Sequence, residues 1–132
     1  MAADDIDNAW KLILRSDDAS CDEAARLALC IADDAAREPE DRADALFLLA
    51  QVARFFQPWR THDGGLGLLR RATSLFPNHV DSLLAQCEIV ASTEHPDHSE
   101  LGSLMARAEE LRPTMTSDHL QQVADIERRL RK

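Results

Sequence analysis

The chain contains no tyrosine, and its four Phe and two Trp bring the aromatic share to only 5%. Strands draw on aromatic and β-branched side chains that suit a pleated, half-buried surface. Their scarcity, beside abundant Ala and Leu, argues against an all-β fold. Lysine is nearly missing as well. Thirteen of the fifteen basic residues are Arg, and 24 acidic residues set the net charge at −9. Binding to phosphate backbones needs concentrated positive charge, so no nucleic-acid partner is expected. No segment reaches the ~18–20 consecutive apolar residues of a membrane helix, so no membrane insertion is expected. The three cysteines, Cys21, Cys30 and Cys87, are odd in number and scattered. They fit neither a disulfide framework nor a Cys-based zinc site, and read as small helix-core residues. The start, Met1-Ala2-Ala3-Asp4-Asp5, lacks the basic opening and apolar run of a secretory signal. A cytoplasmic protein is the expectation.

What is present describes an ordinary globular domain. The chain has 132 residues, 45% apolar and 30% charged, enough to bury a core without a metal or a cross-link. Charge is distributed unevenly. Residues 1–41 hold 12 acids and 4 bases, whereas residues 42–76 hold 2 acids and 5 bases. Residues 77–113 return to a net −5, and residues 114–132 carry a net +1. An acidic face of this kind serves solubility, or steers a basic partner.

The prolines lie at 39, 58, 77, 96 and 113, separated by 19, 19, 19 and 17 residues. Proline lacks an N–H and clashes with the preceding turn, so it is rejected from helix interiors. Each interval therefore holds one helix and a short connection, and alternate prolines mark a period of 38 and 36 residues. Apolar spacings of three and four residues fill the intervals. A first helix is expected over 5–15, with Ile6, Trp10, Ile13 and Leu14. A second starts at a capping box of Ser20 and Glu23 and runs to Arg37. A third covers 40–56, a loop of 57–65 follows, and a fourth ends at Phe76. Asn78 caps the fifth, Asp97 or Ser99 the sixth, which ends at Arg112, and Thr116 or Ser117 the seventh. The fold class is all-α: about seven antiparallel helices joined by short loops.

The second helix of each pair carries a shared pattern. It reads Ala25, Leu29 and Ala32, then Gly65, Leu69 and Ala72, then Leu101, Met105 and Ala108. Ala72 and Ala108 each precede a proline by five residues, and Leu75 and Leu111 by two. This resembles the tetratricopeptide repeat, a helical hairpin of about 34 residues. The resemblance places repeats at about 5–38, 39–77 and 78–113, stacked as three hairpins, with 114–132 as a capping helix. It implies a concave groove, lined by the first helix of each repeat, that binds an extended or helical peptide. The implied groove residues are Asp44, Phe47, Gln51, Arg54 and Phe55 in repeat two, and Asp81, Leu84 and Glu88 in repeat three. Phe47 and Phe55 fall outside the Leu46, Leu49 and Val52 stripe, so they either line that groove or are buried against the 57–65 loop or the seventh helix. Trp59 and Arg60 in the loop are of types that favour interfaces, with burial of Trp59 as the other reading.

Chemistry is thinly represented. Glu94, His95, Asp97 and His98 cluster, but Pro96 divides the two histidines, and Asp97 reads as a cap rather than a metal ligand. His62-Asp63-Gly64-Gly65 lacks the preceding strand and the Lys of a phosphate loop. Neither an enzyme nor a cofactor site is expected. The leading reading is a protein-binding module, an adaptor or chaperone comparable in size and charge to bacterial secretion chaperones. The alternative is an acidic helical inhibitor or immunity-type protein that blocks a basic site. A homodimer formed through the apolar third helix fits the sequence equally.

Overall fold

The computed structural model describes residues 2–15, 17–56, 63–93 and 96–130. Those residues form seven α-helices, α1 (Ala2–Leu14), α2 (Asp18–Ala32), α3 (Pro39–Phe55), α4 (Leu66–Leu75), α5 (Val80–Ala91), α6 (His98–Glu110) and α7 (Ser117–Leu130). A single 3-10 turn, Arg112–Thr114, follows α6, and there is no strand among the described residues. The all-α class is as the composition and periodicity indicate.

Proline placement explains the boundaries. Pro39 opens α3, where its missing N–H would be unpaired in any case. Pro77 lies just beyond α4, Pro96 just before α6, and Pro113 within the turn after α6. Pro58 falls outside the described residues. The caps differ in detail from the sequence expectation. Asp17, not Ser20, caps α2: its carboxylate accepts from the Ser20 N–H at 2.8 Å and the Ser20 hydroxyl at 2.9 Å. The same helix stops at Ala32 rather than Arg37. Asp34 closes a turn there by accepting from the Ala36 N–H at 3.0 Å, and the Arg42 guanidinium donates to the Ala32 carbonyl at 2.9 Å. Asp97 caps α6. Thr116 and His119 cap α7 reciprocally, each accepting from the other's backbone N–H at 3.2 Å.

The chain divides into two compact units, Met1–His79 and Val80–Lys132. In the first, α1 packs on α2, α2 on α3, α3 on α4, and α1 also on α3. Short connections make sequential neighbours antiparallel, so α1 and α3 run parallel. Helix α3 lies at the middle of this unit, which explains its apolar surplus. Leu46, Leu48, Leu49 and Val52 are all buried, on more than one face. Truncating a side chain such as Leu46 to Ala removes about 2–5 kcal/mol in comparable cores. In the second unit α6 and α7 both pack on α5, around Leu83, Leu84, Ala108, Leu111 and Val123.

Small residues permit close approach within the first unit. Ala25, Ala28 and Ala32 of α2 and Ala72 of α4 are fully buried. Gly65 precedes α4 with φ of 90°, and a Cβ there would stand 2.9 Å from the Ala50 carbonyl oxygen. Asp63 secures that turn, accepting from the Gly65 N–H at 3.0 Å and the Gly67 N–H at 2.8 Å.

Candidate functional site

Helix α3 carries the densest set of expected site residues, and the structure aligns them. Asp44, Phe47, Gln51 and Phe55 are three to four residues apart, so they share one face. That face borders α1. The Phe47 ring lies 6.0 Å from the Trp10 ring and 6.0 Å from the His79 imidazole. His79 continues the row to Phe76 at 6.5 Å. Phe47 is thus half-buried in an aromatic row. Phe55, at the C-terminal end of α3, is 74% exposed. Its ring is covered on one side by the Arg54 guanidinium, 5.1 Å from the centroid, a geometry that attracts a cation to a π-face.

Beside Phe55 lies a groove of about 400 Å³, lined by Trp10, Ile13, Cys21, Gln51, Val52, Phe55 and Phe56. Helices α1 and α3 form its walls, and the first turn of α2 supplies Cys21. An apolar cleft of this size suits a few bulky side chains of a ligand. Burial, reinforced by the negative charges of Asp17 and Asp18, pushes the Cys21 thiol up. Cys87, buried in α5, is pushed up to about 12 by desolvation. Neither presents a thiolate at neutral pH.

At the other end of the α3 face stands Asp44. Its Oδ1 lies 2.6 Å from His79 Nε2. The His79 side chain is 6% exposed, whereas Asp44 remains 40% exposed. Sequence reasoning missed this pair, and it missed Trp10, Ile13, Cys21 and Phe56 as groove residues by assigning them to core stripes.

The residues expected on α5 are occupied differently. Leu84 is fully buried in the core of the second unit, so it is a packing residue and offers no surface to a partner. Glu88 accepts from the Gln122 side-chain amide of α7 at 2.8 Å. Asp81 takes the Nε2 of His119, also on α7, at 2.6 Å. The C-terminal helix therefore engages the face of α5 that the repeat pattern assigns to a groove. Trp59, Arg60 and His62 lie outside the described residues.

The excess of bases in residues 42–76 surfaces elsewhere, as a shallow depression lined by Arg42, Gly67, Arg70, Arg71, Ser74 and Leu75. Arg42 is engaged by Ala32 and Arg71 by Asp33, the latter at 3.6 Å. Among the described residues no three His, Cys, Asp or Glu side chains converge as a metal site would require, and no helix is long and apolar enough to cross a membrane. Comparison with family models, with curated proteins and with solved structures finds no match.

Proposed function

We propose that the chain is a protein-binding module of tetratricopeptide type, an adaptor or chaperone, whose α1–α3 face holds a peptide or helical segment of another protein. The observation that carries this reading is the exposed Phe55 at the lip of the groove between two parallel helices. An exposed aromatic ring at the mouth of an apolar cleft offers an anchor whose burial by a partner is favourable. The packing of α1 on α2, α2 on α3, and α1 on α3 supports the repeat reading. So do the buried small residues at Ala25, Ala32, Gly65 and Ala72. A cytoplasmic setting belongs to the same proposal.

The test is affinity purification with mass spectrometry, comparing wild type with Phe55→Ala and Arg54→Glu. Partners lost in both variants, with unchanged thermal stability, support the groove. Equal recovery of all partners from the three proteins overturns it.

A second reading rests on the acidic surface. Asp7, Asp17, Asp18, Asp33 and Asp34 are all exposed, within a segment of 12 acids and 4 bases. An inhibitor that blocks a basic site would use these, and its complex would dissociate in salt. A complex held by the groove would resist salt, because screening acts on exposed charges and leaves apolar burial intact.

A further inference from the structure

The groove has unlike ends. Trp10 and Phe47 touch across the α1–α3 interface, which sets those two residues at one level. The helices run parallel, so one turn toward both N-termini brings Asp7 on α1 and Asp44 on α3 to a common level. Asp7 is exposed and Asp44 is 40% exposed. Asp44 uses one oxygen on His79. Two to three turns in the opposite direction the walls become Ile13, Gln51, Val52 and Phe55. Charges at that end are mixed in sign: Arg54 lies over Phe55, Asp17 and Asp18 act on Cys21, and Arg15 acts on Asp17.

We propose that this face selects a segment with a Lys or Arg at one end and a large apolar side chain about three helical turns away, the cation resting between Asp7 and Asp44 and the apolar anchor in the cleft beside Phe55. The inference rests on the docking reading above and specifies its ligand. The reach follows from helix geometry. Asp44 and Phe55 are separated by 11 positions on α3, or about 16 Å at 1.5 Å per residue. The same distance is covered by about five residues of extended chain. Charge complementarity argues for a cation at the Asp end. An ammonium or guanidinium placed at that level meets carboxylates from both walls. An acidic ligand would meet like charge there, which is the stronger source of selectivity.

The test uses two synthetic amphipathic helical peptides labelled with a fluorophore. Both carry Phe and Leu anchors, and both place a charged pair 11 residues from the Phe, Lys-Lys in one and Glu-Glu in the other. Binding is read by anisotropy for wild type, Phe55→Ser and the double variant Asp7→Asn/Asp44→Asn. Wild type is expected to prefer the Lys peptide by about tenfold or more, in the range of opposed versus like charge at an interface. The double variant is expected to lose that preference while still binding both peptides, and Phe55→Ser to weaken both. An undiminished preference in the double variant overturns the inference and leaves the docking reading standing. No binding of either peptide, or binding indifferent to Phe55→Ser, overturns the docking reading and the inference with it. Should the double variant melt early, wild type decides in salt: the preference must fall at about 0.5 M, where the screening length is only a few Å, and a preference unchanged there overturns the inference.

Discussion

The His79 imidazole and the Asp44 carboxylate meet at 2.6 Å across 35 positions of sequence, and His119 and Asp81 repeat the arrangement at 2.6 Å across 38. In both, the Asp lies in the N-terminal half of an odd-numbered helix, and the His lies at or just before the start of the next one. The second pair has a defined tautomer. His119 Nδ1 accepts from the Thr116 N–H, so Nε2 carries the proton and donates to Asp81. Each pair ties one odd-numbered helix to the start of the next.

The two pairs should contribute unequally to stability. His79 is 6% exposed and packed between Phe47 and Phe76, whereas His119 is 19% exposed at its side chain. His79→Ala removes a hydrogen bond and leaves a void among aromatic rings, costing about 2–3 kcal/mol. His119→Ala gives up a more exposed bond and costs about 1 kcal/mol or less. Asp44→Asn preserves a side-chain oxygen facing His79 and should also cost about 1 kcal/mol or less. Urea unfolding of the three variants gives the ranking. A His119→Ala loss equal to that of His79→Ala would contradict the burial argument.

Two glycines at one turn separate backbone strain from crowding. Gly64 has φ of 66° with open space where a Cβ would stand, and Gly65 has φ of 90° with the Ala50 carbonyl oxygen 2.9 Å away. Gly64→Ala should cost about 1–2 kcal/mol, the penalty of a left-handed backbone alone. Gly65→Ala adds a collision with main chain that cannot swing aside, for a total of about 3 kcal/mol or more. Thermal melts of the two variants check the difference. Gly64→Asn should recover part of the first loss, since Asn tolerates the left-handed region.

The thiols should react in order of access. Cys30 is exposed, whereas Cys21 and Cys87 are buried. Burial raises both of the latter, Cys87 to about 12. Iodoacetamide at pH 8 should modify Cys30 quickly, Cys21 slowly and Cys87 only on unfolding, as read by peptide mass spectrometry. A ligand seated in the cleft should slow Cys21 further, because Cys21 is part of its wall. The raised Cys87 also has a consequence at alkaline pH. Its neutral thiol supports the fold fully below the ordinary value of 9.0, and that support is lost as pH rises toward about 12. Cys87→Ala should flatten this alkaline limb in a pH series of urea melts.

The helices were legible because their punctuation is local. An imino ring excludes itself from a helix interior wherever it occurs, and Pro39, Pro77, Pro96 and Pro113 all fall at boundaries or turns. The start of α2 was misread because Asp17 and Ser20 are both capping types, and only the geometry shows which one accepts. Its end was misread because Ala35-Ala36-Arg37 are good helix formers, overridden by the Asp34 turn. The site was less legible still. Apolar spacing on α3 separates Phe47 and Phe55 from the core stripe. It does not show that Trp10 would cover Phe47 and leave Phe55 open, because that depends on how α1 crosses α3. Leu84 and Glu88 fit a groove pattern equally well until α7 is laid against α5.

Acid should act on the fold through the cap of α2. The Asp17 carboxyl is held below its usual value of 3.8, first by the Ser20 backbone N–H and then by the Ser20 hydroxyl. Both bonds favour the ionised form in the folded chain. A depressed folded value means that the stabilisation is complete above the ordinary carboxylate range and disappears as pH falls through the folded value. Wild type should therefore lose stability below about pH 4, the unperturbed Asp range, more steeply than Asp17→Asn, which caps without a charge. The same variant keeps a side-chain acceptor for the Ser20 N–H, so near neutral pH the two proteins should melt within a few degrees of each other. Asp17→Ala should melt lower than either at neutral pH, and converge on wild type as the medium is acidified. Circular dichroism melts from pH 7 to pH 2.5 test all three curves. Because Cys21 lies one turn past this cap and lines the groove, fraying of α2 in acid should also release ligand from the cleft before the remainder of the first unit unfolds.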